Sequence, residues 1–581
     1  MILKSAILTF ILTMLIGLTA LVLKPAYVGI RAGNLDADYI DSRKCVACHA
    51  GHYASWAGTF HSRMTQEARA NSVQGDFERN NTLEYQGVSA RMERRDGSFF
   101  MTFKFPDGRI EVNRIVRTVG SRRIEQYITT QNGQHTRLPL AYDLVNRRWM
   151  NLNGSFFHPD GKDFSQLRSA WDPNCVFCHN VKAQPNFDFK SRAFNTEVSE
   201  LGIACGACHG PAAKHADEGA SPFTRTLWRL TDGATRIVNP RKLDAERSLM
   251  VCGHCHGQRI PAQLDGIQQI LGRGDPYNAG DDLFKFYRPV WRNTKVGDYS
   301  FASRFWANGS PRLTAYEYQG VLRSACFIKG DPRNRITCLT CHSMHDGDPK
   351  GQIKPENRTN KPCLECHQQY KTNARLVEHT GHGVDSGGSK CYNCHMPRVV
   401  YGIMSVHPTH EITIPDPQLT YSMSVPNACN QCHLDRSVNW AIAESKRLWP
   451  ARFTQARTSD DKQFDIAEGP RSLVAGDALT RALAAEALSG GGPIHPDPNW
   501  ASAWLIEALR DDYPIVRFFA AGGLSRMPND SNVPDYLNPR DCRAAAERLW
   551  SQLDSSAQLK LNALVEMLRA KRTNVDIEVG E

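Results

Sequence analysis

Eight copies of the pentapeptide Cys-x-x-Cys-His are the residues of this 581-residue chain best suited to chemistry. Two thiols three residues apart on one turn can each form a thioether with a porphyrin vinyl group, and the adjacent imidazole then reaches the iron. This spacing is the attachment signature of c-type haem, so each copy predicts one covalently bound haem. The predicted attachment cysteines and iron-ligating histidines are Cys45, Cys48 and His49; Cys175, Cys178 and His179; Cys205, Cys208 and His209; Cys252, Cys255 and His256; Cys338, Cys341 and His342; Cys363, Cys366 and His367; Cys391, Cys394 and His395; and Cys429, Cys432 and His433.

Repeated Cys-x-x-Cys pairs also build zinc sites, which is the alternative to haem. A zinc site takes two such pairs per metal ion and has no obligatory histidine, whereas every pair here carries its own. We therefore favour eight haems. Of the 18 cysteines, only Cys326 and Cys542 lie outside the motifs. Since they are far apart in sequence, we expect buried free thiols, with a disulfide between them as the alternative.

The second axial ligand of each iron decides between an electron carrier and a catalyst. Two histidines give a low-potential, substrate-inert carrier, whereas an open face permits chemistry. His254 lies inside its own motif, His52 is one helical turn beyond His49, and His495 falls in the C-terminal part, so we set them aside. Nine candidates remain for eight irons: His61, His135, His158, His215, His345, His379, His382, His407 and His410.

The charge at first suggests a nucleic-acid or acidic-membrane partner, because the formal net charge is +10 at pH 7. Each haem brings two propionates, however, so eight haems cancel most of this excess. We therefore predict no nucleic-acid binding. The content of 41% hydrophobic and 22% charged residues is that of a folded protein.

The N-terminal part contains an uncharged, largely apolar run from Ser5 to Leu23, bounded by Lys4 and Lys24. Its 19 residues can span a bilayer as a helix. No convincing small-x-small cleavage site follows, so we favour a membrane anchor over residues 1–24, with a cleaved signal sequence as the alternative. Either way the body of the protein is expected on the periplasmic side of the bacterial inner membrane.

Three kinds of segment must position the motifs. Leu83 to Thr130 alternates apolar and polar residues around Asp96-Gly97 and Asp107-Gly108, which predicts a small antiparallel β region. The stretch from Cys175 to His433 is rich in Gly and Pro, and there the porphyrins would supply the core. Residues 470–575 read as Ala- and Leu-rich helices joined by short turns, as in HEAT repeats or an ordinary bundle. The predicted fold class is therefore mainly α, with extensive irregular structure organised around haems.

At this point the residues also carry a resemblance. The segment from Cys45 to Met64 resembles the opening of multihaem cytochromes of the c-552/c-554 type, and Cys205 to Pro211, Cys252 to Arg259, Cys391 to Pro397 and Pro426 to His433 are similar to later parts of that group. The resemblance spans about residues 40–445, the expected octahaem domain, and members often append helical repeats. It implies the distal ligands His61, His215, His345, His379, His382 and His410.

The resemblance leaves two irons without an assigned distal ligand. Related ammonia-forming nitrite reductases use Cys-x-x-Cys-Lys at the reacting iron, and this sequence has no such motif. We therefore predict an octahaem electron carrier with no assigned catalytic residue. The alternative is an oxidoreductase acting on a small nitrogen or sulfur compound at a five-coordinate haem. The expected partners are redox proteins, the inner membrane through the N-terminal segment, and proteins that dock on the C-terminal repeats.

Overall fold

The computed structural model describes residues 38–573 apart from 162, 232–235, 264, 314, 333–334, 493–496 and 528–532. The predicted anchor and His495 lie outside the described residues. Within the described residues, no helix combines the length and apolarity needed to cross a bilayer.

An antiparallel sheet of nine strands dominates the N-terminal third of the described chain. The strands are β1 Thr65–Glu67, β2 Thr82–Tyr85, β3 Val88–Arg95, β4 Ser98–Lys104, β5 Ile110–Val119, β6 Ile124–Gln131, β7 Gln134–Asp143, β8 Arg148–Asn151 and β9 Ser169–Ala170. Their order in the sheet is β2-β3-β4-β5-β6-β7-β8, with β1 paired to β5 and β9 paired to β7. The sheet is nearly closed. Its two ends, β2 and β8, are linked by a hydrogen bond at 3.1 Å, which the side-chain amide of Asn153, just after β8, donates to the hydroxyl of Tyr85 on β2.

Tight turns set the register of this sheet. Gln86-Gly87, Asp96-Gly97 and Asn132-Gly133 each connect two paired strands, and all six residues have positive φ. Two such residues in succession form the hairpin turn whose twist matches that of the flanking strands. Inside the curved sheet, Phe103, Tyr127 and Trp149 belong to one buried apolar cluster.

The predicted fold class, mainly α, is wrong. Helix accounts for 39% and strand for 18% of the structure, and the sheet runs from Thr65 to Ala170 rather than from Leu83 to Thr130. Among the missed strands, β7 does not alternate, because most of it is buried on both faces. One face lines the interior of the sheet, and the other packs on neighbouring parts of the chain.

The motif region consists of short helices and two-stranded ribbons. The ribbons pair β10 Asn180–Gln184 with β11 Glu197–Leu201, β12 Arg259–Pro261 with β13 Tyr287–Pro289, β14 Lys295–Val296 with β15 Tyr299–Ser300, and β16 Arg398–Tyr401 with β17 Ser405–Pro408. The α-helices outside the C-terminal part are Val46–Ala57, Val176–His179, Cys205–His209, Ala213–Gly219, Pro222–Leu230, Ala245–Gly253, Gly266–Arg273, Glu317–Arg323, Ala325–Ile328, Cys338–Cys341, Lys361–Leu364, Asn373–Thr380, Cys391–His395, Gln418–Met423 and Val438–Leu448.

The C-terminal part contains helices where the Ala- and Leu-rich pattern predicts them. They span Glu468–Ala475, Ala478–Glu486, Pro498–Ala508, Pro514–Leu524, Pro539–Trp550 and Ser555–Arg569.

These C-terminal helices share a hydrophobic cluster with the outer face of the sheet, including Ile124, Ala141 and Met150. The fully buried Arg517 donates to Asp160 at 2.7 and 3.0 Å. The C-terminal helices are thus packed firmly on the sheet and on the segment that follows it.

Candidate haem-binding site

At least six of the eight motif histidines face a second histidine at a nearly constant distance. An iron atom with a nitrogen ligand about 2 Å away on each face separates two imidazole centres by about 6 Å. The ring centres are 6.3 Å apart for His49 and His215, 6.2 Å for His209 and His345, 6.1 Å for His256 and His61, 6.3 Å for His342 and His410, 6.1 Å for His395 and His379, and 6.0 Å for His433 and His382. The second members are the six histidines that the family resemblance implied.

His49 has another parallel neighbour, His52, at 6.0 Å. His52 follows His49 by three residues on one helix, so this gap reflects the helix pitch of about 5.4 Å rather than room for an iron. On its other side His52 stacks on His345 at 4.4 Å. His52 therefore packs between the first and third motifs, which agrees with leaving it out of the ligand set.

Backbone carbonyls fix the tautomer of several of these rings. Nδ1 of His209 lies 2.7 Å from the Val238 carbonyl, and Nδ1 of His395 lies 2.7 Å from the Thr413 carbonyl. A carbonyl oxygen only accepts, so Nδ1 carries the proton and the Nε2 lone pair is left for a metal. The distal His382 is held in the same way by the Thr380 carbonyl at 2.7 Å.

Burial keeps two of the histidines that face a motif histidine neutral. It lowers the pKa of His61 to about 4 and that of His410 to about 4. A neutral imidazole has no proton to lose from its coordinating nitrogen at neutral pH, so these rings are ready to bind iron.

The motifs follow one another as a chain of neighbours. The thiols of Cys45 and Cys205, Cys178 and Cys255, Cys252 and Cys338, and Cys363 and Cys391 lie within hydrogen-bonding reach of each other. Cys208 is close enough to interact electrostatically with Cys252, Cys341 with Cys363, and Cys394 with Cys429. The motifs are thus ordered 1-3-4-5-6-7-8, and motif 2 branches from motif 4.

The motif region encloses a continuous cavity of about 2860 Å³. An ordinary ligand pocket holds roughly 300–1,000 Å³, so this one has room for several large groups. Motif histidines that line it are His179, His256, His342, His367 and His395.

The sheet contributes to the same cavity. The β5–β6 turn, Val119 to Ile124, forms part of one wall. On β1, the Thr65 hydroxyl donates to the His179 carbonyl at 3.0 Å. The sheet therefore helps to position the second motif.

The remaining histidine candidates have other surroundings. His135 meets the Trp171 ring edge to face, and its Nδ1 lies 2.8 Å from the Asp172 carboxylate. His158 lines the same cavity as His179. Nε2 of His254, which was predicted to point away from its iron, lies 2.6 Å from a carboxylate oxygen of Asp275.

The two cysteines outside the motifs are free thiols, with Cys542 buried and Cys326 half-buried.

Sequence reasoning missed Glu317, a half-buried carboxylate at the fourth motif. Its oxygens lie 3.9 Å from Nδ1 of His256 and 3.8 Å from Nε2 of His407. Burial by itself would raise the pKa of Glu317, but His256 and His407 overcome this and hold the pKa well below its usual range. No spacing rule in the sequence links a glutamate to a motif more than sixty residues earlier.

Comparisons with known proteins agree with the haem-attachment motifs. A family model described as a doubled CXXCH motif matches residues 331–372, which contain the fifth and sixth motifs. The cytochrome c-type protein NrfB of Escherichia coli O6:H1 is 21% identical over 137 residues, which are 24% of this chain and 57% of that relative. The outer cell wall cytochrome OcwA aligns over 92% of this chain and all of its own, at 13% identity and a TM-score of 0.46, too distant to carry an argument.

The doubled motif and the curated relative support a multihaem c-type cytochrome whose cofactor is haem c.

Proposed function

We propose that the chain binds eight haems and conducts electrons along them on the periplasmic side of a bacterial inner membrane. The observation that carries the proposal is the set of six histidine pairs about 6 Å apart, each joining a motif histidine to a distant residue. In this proposal His61, His215, His345, His379, His382 and His410 complete six irons. The 16 motif cysteines hold the porphyrins covalently.

The order in which the motifs adjoin one another supports electron conduction rather than electron storage. Electron tunnelling falls exponentially with distance, so a carrier gains speed when each haem edge is close to the next. The contacting thiols, such as Cys252 with Cys338, bring neighbouring attachment points together. An electron entering at either end of the chain of motifs could then cross the protein in short steps.

The part that haem c supplies is reversible one-electron chemistry at iron. The protein's own residues would keep the carrier inert: each pair of imidazoles would supply both axial ligands of an iron, and the backbone carbonyls behind several of the rings hold them in place. The N-terminal segment 1–24 would anchor this body to the membrane. Residues 470–575, whether HEAT-like repeats or a bundle, would brace the sheet and offer a docking surface.

A second function is favoured by the sixth motif, whose histidine belongs to none of the six pairs. His367 is exposed on the cavity wall. An iron at this position without a sixth protein ligand would bind a small nitrogen or sulfur compound. The protein would then be an oxidoreductase fed by its other haems.

Mass spectrometry and spin state test these proposals together. The mature polypeptide should carry the mass of eight haems, and a smaller number would contradict the octahaem assignment. In the oxidised protein, electron paramagnetic resonance should show at least six low-spin irons. Carbon monoxide binding to one or two reduced haems would favour the oxidoreductase, whereas no binding would favour the pure carrier.

A further inference from the structure

The helix Pro222–Leu230 exposes an apolar face. Phe223 is 78% exposed, Leu227 46% and Leu230 80%. Their spacing of four and three residues places all three side chains on one side of the helix. Large apolar side chains grouped in this way mark a surface that contacts something other than water.

The opposite side of the same helix is tied to the first motif. Trp228 stacks on His215, with ring centres 5.0 Å apart and planes 8° apart. His215 in turn faces His49, the motif histidine. The exposed face is therefore held in a defined position above one end of the chain of motifs.

The chain enters the described structure beside this helix. The carbonyl of Asp38 accepts hydrogen bonds from the backbone N–H groups of Ala212 at 2.8 Å and Ala213 at 3.0 Å, one short helix before Pro222. Thirteen residues lie between Asp38 and Lys24, where the apolar N-terminal run ends. Fully extended, they reach about 50 Å at most, so an anchor would keep this corner of the protein near the bilayer.

The charge around the helix also fits a membrane surface. Between residues 211 and 242 the sequence contains six basic and three acidic residues. Of these, Lys214, Arg229 and Arg241 are exposed, and Glu218 is paired with Arg236. Basic residues beside an apolar helix face are the composition of segments that lie on anionic lipid.

We infer that the face formed by Phe223, Leu227 and Leu230 lies on the anionic surface of the membrane and makes the first motif the membrane-proximal end of the chain of haems. This inference rests on the proposed N-terminal anchor, and it adds an orientation that the anchor alone does not give. Electrons exchanged with a membrane-bound partner would pass through the haem of Cys45 and Cys48.

Photocrosslinking in proteoliposomes tests this contact with the full-length, haem-loaded protein. The photoreactive residue p-benzoylphenylalanine replaces Leu230 in one sample and Ile328, which is 60% exposed, in the matched control. In vesicles of phosphatidylglycerol and phosphatidylcholine, we expect about tenfold more lipid adduct at position 230, measured by peptide mass spectrometry. Pure phosphatidylcholine should lower this ratio.

Equal lipid labelling at positions 230 and 328 would overturn the inference, as would crosslinking of position 230 to a second copy or to another protein. A ratio that stays the same without phosphatidylglycerol would overturn the assignment to anionic lipid. The low-spin haem signals of the same samples report separately on the electron-transfer proposal.

Discussion

The nine-stranded sheet and the motif region are built on opposite principles. The sheet closes around its own side chains, with Phe103 and Met101 fully buried. The motif region surrounds a cavity of about 2860 Å³ lined by cysteines and histidines, and its helices are mostly shorter than ten residues. Where side chains fill the core, regular strands develop, and where cofactors fill it, short helices suffice to present their ligands.

The largest effect should come from removing covalent attachment at the fourth motif. Cys252→Ser with Cys255→Ser should leave the surrounding segment without its core, because this motif adjoins motifs 2, 3 and 5. Hydrogen exchange should show lost amide protection in residues 245–290 while β3 to β7 stay protected. Cys326→Ser, outside the motifs, is the control. Equal loss of protection in the sheet would show that the two regions fold as one.

A cavity created inside the sheet should lower the free energy of unfolding and leave the haem spectrum unchanged. Phe103→Ala removes a fully buried ring and should lower the free energy of unfolding by about 3–5 kcal/mol. Val112→Ala, on an exposed β5 position, should cost less than about 0.5 kcal/mol. Denaturant unfolding followed by far-ultraviolet circular dichroism measures both. A changed haem spectrum in Phe103→Ala would contradict the separation between the regions.

The loss of one histidine from a pair should alter a single iron. His382→Ala removes the ring that faces His433 at 6.0 Å, so a single low-spin haem should become high-spin and bind carbon monoxide when reduced. His135→Ala is the matched control, because His135 contacts Trp171 and Asp172 instead. An unchanged spin state in His382→Ala would refute this ligand assignment.

The smallest expected effect is on the midpoint reduction potential of one haem. Negative charge near the imidazole of His256 stabilises the oxidised iron, so Glu317→Gln should raise the midpoint potential of one haem. We expect the midpoint potential to rise by an amount on the order of 60 mV, which corresponds to about a tenfold change in a one-electron equilibrium constant. Spectroelectrochemical titration measures it, with Glu246→Gln, an exposed partner of Arg335, as control. A shift of the same size in both variants would show that Glu317 has no special role.

The sheet shows where sequence patterns stop being informative. Alternation predicted strands up to Thr130, and the structure has strands there. It failed for β7, where the run Leu138-Pro139-Leu140 is buried on both faces and contains a proline, which usually argues against a central strand. A register shift between β6 and β7 occurs at this point in the ladder. Only the packing on both sides of the sheet explains that strand.

The sequence by itself determined the chemistry: thioether attachment and proximal ligation depend on residues within five positions of one another, a spacing that any fold of the chain retains. Tertiary structure decided which distant histidine faces which motif, because pairs such as His61 with His256 meet only after long segments fold. It also decided the branched order of the motifs and the place of Glu317. These are through-space distances, and a sequence carries no distance between residues that are far apart along the chain.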